Sequence, residues 1–166
     1  MIILGEIFSL LAALCLAYST FSHKKNKMIW WQAINVIFYG LSNLFLGAYS
    51  AVVTNILTLF RNTLQVKDKL NKHITIIICL LMAIVGIIFN NREWLGLLPI
   101  LASVTYTICV YVLKSVQQMR IALVINLIQW AIFDFLVKAY PMFIMDMIII
   151  VVTVMNMIRY KNMTES

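Results

Sequence analysis

Two stretches of this chain set amide, hydroxyl, aromatic and acidic side chains at helical spacing among residues that are otherwise apolar. Asn35, Phe38, Tyr39, Ser42 and Asn43 fall at i, i+3, i+4, i+7 and i+8, which is one face of a helix. Asn126, Gln129, Trp130, Phe133 and Asp134 repeat that spacing. Polar groups in apolar surroundings are costly unless they meet a partner or a water-filled cavity. The amides, the acid and the rings of Asn35, Tyr39, Asn43, Asn126, Gln129, Trp130 and Asp134 are therefore candidates for binding a small polar molecule by hydrogen bonding and stacking. Asn55 and Asp146 join them, six residues from the start of their own apolar stretches and so about 9 Å along a helix. Two plainer roles stand beside this one. Amides also hold helices together through interhelical hydrogen bonds, and Asp134 is one turn from Lys138, close enough to pair with it.

The elements that must position these residues are membrane helices. Of 166 residues 63% are hydrophobic and 11% charged, against roughly half and a quarter in a soluble domain. Apolar stretches run over 3–20, 28–46, 49–64, 74–90, 94–113, 119–137 and 140–158. At about 20 residues per crossing, seven spans use nearly the whole chain and leave no extramembrane catalytic domain.

Basic residues set the expected orientation, because Lys and Arg gather in short cytoplasmic loops. With the N-terminus outside and the C-terminus cytoplasmic, Lys24, Lys25, Lys27, Arg61, Lys67, Lys69, Lys72, Lys114, Arg120, Arg159 and Lys161 lie inside, and only Arg92 and Lys138 lie outside. The net charge of +7 then reports topology, and no nucleic-acid partner is expected. Glu6, Asp134 and Asp146 fall toward the outer side, where carboxylates attract cations and resist anions. The first stretch has no basic leader and carries Glu6, so it reads as a retained helix rather than a cleaved signal.

Shifting the sequence by 91 residues lays the first three stretches on the last three. Asn35 meets Asn126, Tyr39 meets Trp130, Asn43 meets Asp134 and Asn55 meets Asp146. Apolar matches are common in any membrane protein, so these polar pairs carry the comparison. Two parallel three-helix units need one linker helix between them, because an odd unit reverses direction. The predicted all-α organisation is therefore 3+1+3: a first unit over 1–66, a linker over 67–92, a second unit over 93–160 and a short tail over 161–166. In small transporters with parallel repeats the solute site lies between the units.

Thr58-x-x-Arg61 and Asn156-x-x-Arg159 close the third helix of each unit. Arg61, Asn156 and Arg159 are candidates for a gate at the inner end of the cavity, or interfacial anchors. Trp30 and Trp31 read as interfacial belt residues. Cys15, Cys79 and Cys109 have no CxxC spacing and no histidine cluster, so neither a metal site nor a disulfide is indicated. His23 and His73 sit in basic breaks without catalytic companions. No phosphate loop or nucleophile motif is present, and neither enzymatic activity nor a cofactor is expected.

The closing run Asn55-Ile-Leu-Thr-Leu-Phe-Arg61, Asp146, the run Asn156-Met-Ile-Arg159 and Leu98-Pro99-Ile100 resemble the YgjV family of bacterial inner membrane proteins over nearly the whole chain. That resemblance implies the bacterial cytoplasmic membrane as location. The layout is also similar to the nicotinamide riboside transporter and SWEET families. The expected function is a facilitative carrier for a small polar, neutral or cationic metabolite such as a vitamin or nucleoside, with the lipid bilayer and that solute as partners and homo-oligomerisation left open. The rival expectation is a non-transporting membrane subunit that binds a partner protein or lipid.

Overall fold

The structure is a computed structural model and describes residues 2–45, 47, 49–90, 93–136 and 140–160. Ala48, Arg92, Lys138, Ala139 and the tail 161–166 with Lys161 lie outside the described residues. The described residues form seven α-helices: α1 (Ile2–Ser19), α2 (Lys25–Phe45), α3 (Tyr49–Val66), α4 (Lys72–Ile88), α5 (Leu97–Val112), α6 (Val116–Leu136) and α7 (Tyr140–Arg159), with a 3-10 turn at Glu93–Gly96 before α5.

Local chemistry sets the ends of these helices. After α2, Gly47 takes φ 69°, a left-handed conformation that a residue without Cβ reaches at little cost. Beyond α3, Asp68 has φ 52° and the Lys69 amide bonds back to the Leu64 carbonyl at 2.8 Å, the bond pattern of a Schellman stop. Three residues later Asn71 caps α4, its Oδ1 accepting from the Ile74 amide at 2.9 Å, which satisfies one of the orphan donors at a helix start. The polar break between the third and fourth apolar stretches is thus one helix stop followed directly by one helix start. Pro99 and Pro141 each fall in the first turn of a helix, where a missing N–H costs nothing.

Packing follows chain order, each helix lying against the next, with three further pairs: α1 with α7, α3 with α5, and α2 with α6. Exchanging α1 with α5, α2 with α6 and α3 with α7 turns the α1–α7 contact into the α5–α3 contact and returns α2–α6 to itself. Small residues permit the close approaches, as expected where helices cannot rely on water to drive them together: Ala12 and Ala102 are fully buried. Met28, Ile29, Val110, Met119 and Leu127 form the centre of the apolar core.

The outside of the bundle is apolar. Ile3, Ile88 and Ile158 are each at least 70% exposed, among many other exposed Leu, Ile and Phe residues, a surface suited to lipid and not to water. Among the described residues three helices are long and apolar enough to cross a membrane, Glu93–Val112, Val116–Leu136 and Met142–Arg159, and Ile3–Ser19 and Lys72–Ile88 are shorter apolar helices. α2 and α3 carry more polar residues, Gln32, Asn35, Asn43, Asn55, Arg61 and Asn62 among them. Most of these face the interior.

Candidate functional site

α2 and α6 each contribute four residues to one cavity. From α2 these are Gln32, Asn35, Val36 and Tyr39, and from α6 they are Leu123, Asn126, Leu127 and Trp130. Both sets follow i, i+3, i+4, i+7, and the shift of 91 residues lays each member of one on a member of the other. α3 adds Asn55, Thr58, Arg61 and Asn62, and α7 adds Met142, Met145, Asp146 and Ile149. Ser9 on α1 with Ser103 and Tyr106 on α5 complete the polar lining. The cavity is half-enclosed, with a volume of about 110 Å³. At roughly 30 Å³ per water in the liquid, that is room for several waters.

The candidates Asn35, Tyr39, Asn55, Asn126, Trp130 and Asp146 are brought together here. Asn43, Gln129 and Asp134 lie outside its lining. The wall is turned toward 32, 35, 36 and 39, because the opposite edge of that stripe belongs to α1: Phe38 stacks on Phe8 at 6.3 Å between centroids and Ser42 donates to the Gly5 carbonyl at 2.7 Å. Gln129 stands where Phe38 does under the shift. Asn43 and Asp134 are buried one turn beyond Tyr39 and Trp130, off the cavity wall. Lys138, the proposed partner of Asp134, lies outside the described residues.

Asn35 donates to the Ala12 carbonyl at 2.8 Å, and Asn126 donates to the Ala102 carbonyl at 2.9 Å. Both amides therefore hold helices together while lining the cavity. Tyr39 and Trp130 meet edge to face, 6.1 Å between centroids at 90°, a favoured aromatic geometry.

Arg61 departs from the interfacial-anchor alternative. An interfacial anchor keeps its charged head in water or among lipid headgroups, whereas Arg61 is 1% exposed and lines the cavity. Its Nε and Nη2 donate to Asn62 Oδ1 at 3.1 and 2.7 Å, its Nη1 donates to Thr107 Oγ1 at 2.9 Å, and its guanidinium lies 5.3 Å from the centre of the Tyr106 ring. Tyr106 is itself hydrogen-bonded to Gln32, whose Nε2 donates to the phenolic oxygen at 2.8 Å. α2, α3 and α5 are thereby joined through one polar cluster. Gln32, Asn62 and Tyr106 were hidden from the repeat comparison, because Gln32 faces Leu123 under the shift and repeat pairs of unlike chemistry leave no signal.

A second cluster closes the end of the bundle where α1, α5 and α7 finish. Arg120 on α6, 1% exposed, donates through Nε to the Thr20 carbonyl and through Nη2 to the Ser22 carbonyl, both at 3.1 Å. In the converse direction Lys25 on α2 donates to the Val110 and Leu113 carbonyls at 2.7 and 2.6 Å. A cation beside the last carbonyls of a helix is favourable, since those carbonyls have no partner within the helix and carry its negative end. Burial pulls the Lys25 ammonium below the usual lysine pKa, with Asp68 opposing that shift and Lys114 adding to it. Asn156 on α7, also buried, donates to Thr20 Oγ1 at 2.8 Å. Arg159, the third gate candidate, is exposed and lies 5.5 Å from the centre of the adjacent Tyr160 ring, which the Arg120 guanidinium also approaches, at 5.2 Å. Arg120 and Lys25 were legible only as topology signals, because nothing in their sequence neighbourhood distinguishes a buried helix cap from a loop charge.

An all-helical bundle with an apolar exterior and a polar interior cavity is the architecture of an integral membrane protein. The family model Imp-YgjV, bacterial inner membrane protein, matches residues 3–164, and the chain belongs to that family. No curated protein and no solved structure matches the chain, so the likeness to the nicotinamide riboside and SWEET carriers rests on layout alone.

Proposed function

We propose that the chain is a small facilitative carrier for a polar metabolite, working by alternating access between two three-helix units. The units are 1–66 and 93–160, joined by the linker helix within 67–92, in a seven-span arrangement with the N-terminus outside and the C-terminus in the cytoplasm. One observation carries this reading: three repeat-related polar pairs, Asn35 with Asn126, Tyr39 with Trp130 and Asn55 with Asp146, all line one cavity. A cavity built equally by two units is where a rocking carrier holds its solute.

The packing supports the same division. α1 with α7 and α3 with α5 are the seams between units, and exchanging the units preserves them. Between the two units at the basic end run the bonds of Arg120 to Thr20 and Ser22, of Lys25 to Val110 and Leu113, of Asn156 to Thr20 and of Arg61 to Thr107. These bonds act as the inner gate, closed in this conformation, and opening replaces them by contacts to water.

A thermal-shift screen of the detergent-purified protein against amino acids, amines, sugars, nucleosides and vitamins tests the reading, since a ligand that binds only the folded state raises apparent stability by mass action. Stabilisation by one class, lost in Trp130→Ala, is the expected result. Stabilisation that survives Trp130→Ala and Asn126→Leu unchanged would remove the cavity as the solute site.

A further inference from the structure

The cavity holds two formal charges on different walls, and each lacks an opposite charge as its partner. All the partners of Arg61, namely the Asn62 amide, the Thr107 hydroxyl and the Tyr106 ring, are neutral. A guanidinium has five N–H groups, and three are used by those hydrogen bonds. The amide Nδ2 groups of Asn55 and Asn62 are buried without a hydrogen-bond partner, and Asn62 is fully buried. α3 therefore turns toward the cavity a cluster of N–H donors that lacks acceptors. Buried unsatisfied donors are uncommon because each costs the desolvation of its group, and a carboxylate is the group that satisfies several at once.

α7 presents the complement. Asp146 lines the same cavity and makes no hydrogen bond or ion pair among the described residues. α3 packs mainly on α2, α4 and α5, and α7 on α6 and α1, so the donor cluster and the carboxylate reach the cavity from different sides. The rings of Tyr39 and Trp130 line the same cavity with Leu123 and Leu127.

We infer that the solute is a zwitterion of amino-acid type, its carboxylate received by Arg61, Asn55 and Asn62 and its ammonium by Asp146. The inference rests on the carrier reading and narrows its solute class. A purely cationic metabolite, as the acidic residues alone suggest, leaves the α3 donors unsatisfied and sets a second positive charge in the cavity with Arg61. A free carboxylate without an amine leaves Asp146 beside another anion.

The test uses matched triples on the purified full chain: L-phenylalanine with phenethylamine and 3-phenylpropionate, L-leucine with isoamylamine and 4-methylpentanoate, and the remaining proteinogenic amino acids. Binding is read by thermal shift and titration calorimetry. At least one amino acid stabilises the protein and its amine and acid counterparts do not. Asp146→Asn and Asn55→Ala, which remove no hydrogen bond of the described structure, each weaken that binding by about tenfold or more. An amine or an acid that binds as tightly as its amino acid overturns the inference. A single-cysteine Ser103→Cys variant separates the two readings: if its thiol reacts from both faces of the membrane while no amino acid binds, the carrier stands and the zwitterion is refuted. If the thiol reacts from neither face and nothing binds, both fall together.

Discussion

Asn35 and Asn126 make the same bond in different halves of the molecule: each donates its amide to the carbonyl of a fully buried alanine on the preceding packed helix, Ala12 and Ala102. The acceptors are 90 residues apart and the donors 91, so the two bonds differ in register by one residue. Interhelical polar contacts in membranes are worth about 0.6 kcal/mol on average and reach about 1.7. Asn35→Leu and Asn126→Leu should each lower unfolding free energy within that range and by similar amounts. Chemical unfolding in mixed micelles measures this, and strongly unequal costs would show that only one of the bonds matters.

The Gln32–Tyr106 pair gives a sharper energetic signature, because each partner buries the other. Removing only one leaves a buried polar group unsatisfied, at about 1–3 kcal/mol. Gln32→Leu and Tyr106→Phe should each fall in that range, with the double variant less destabilised than their sum. A coupling energy near zero in the double-mutant cycle would contradict the pairing.

Gly86 tests the packing of α4 on α5. A Cβ there would stand 2.6 Å from Ile100 Cγ1, and overpacking of this kind costs about 1–3 kcal/mol. Gly86→Ala should lower thermal stability, and Ile100→Ala in the same chain should restore part of it. Equal stability of Gly86→Ala and the parent would show that α4 sits loosely on α5.

Arg120 joins α6 to the end of α1 through two charge-assisted bonds, each worth about 1.5–3 kcal/mol when made to a charged group. Arg120→Gln should destabilise the protein and, on the carrier reading, raise the reactivity of a Ser103→Cys thiol toward a membrane-impermeant maleimide added at the cytoplasmic face. Unchanged reactivity from that face would mean that Arg120 caps a helix without gating.

Much of the helical framework was legible because lipid imposes a simple rule: a long apolar stretch must satisfy its backbone internally, which makes it a helix. The stretches read at 28–46 and 49–64 became α2 (Lys25–Phe45) and α3 (Tyr49–Val66), each within three residues at both ends. The cavity was half legible. The paired types at Asn35 and Asn126 and at Asn55 and Asp146 gave those positions away, whereas Gln32 and Asn62 have apolar or hydroxyl counterparts and were silent. Spacing placed Asn43, Gln129 and Asp134 on the cavity face because it fixes which residues share a stripe but not which edge of that stripe the neighbouring helix covers. Phe8, packed on Phe38 and Phe45, decides that for α2. Arg61 stood open between gate and anchor because a terminal-turn arginine looks the same in sequence whether it points to headgroups or inward.

The central claim is that the cavity opens alternately to the two sides of the membrane, and Ser103 reports on it directly. Ser103→Cys in a chain whose Cys15, Cys79 and Cys109 are replaced by alanine places one thiol on the cavity wall with the smallest possible change of shape. Labelling with a membrane-impermeant maleimide in oriented vesicles should proceed from each face in turn, with the cytoplasmic rate rising when Arg120 is replaced by Gln. Labelling from neither face, in protein shown to be folded, would contradict the carrier and leave a packed membrane subunit in its place.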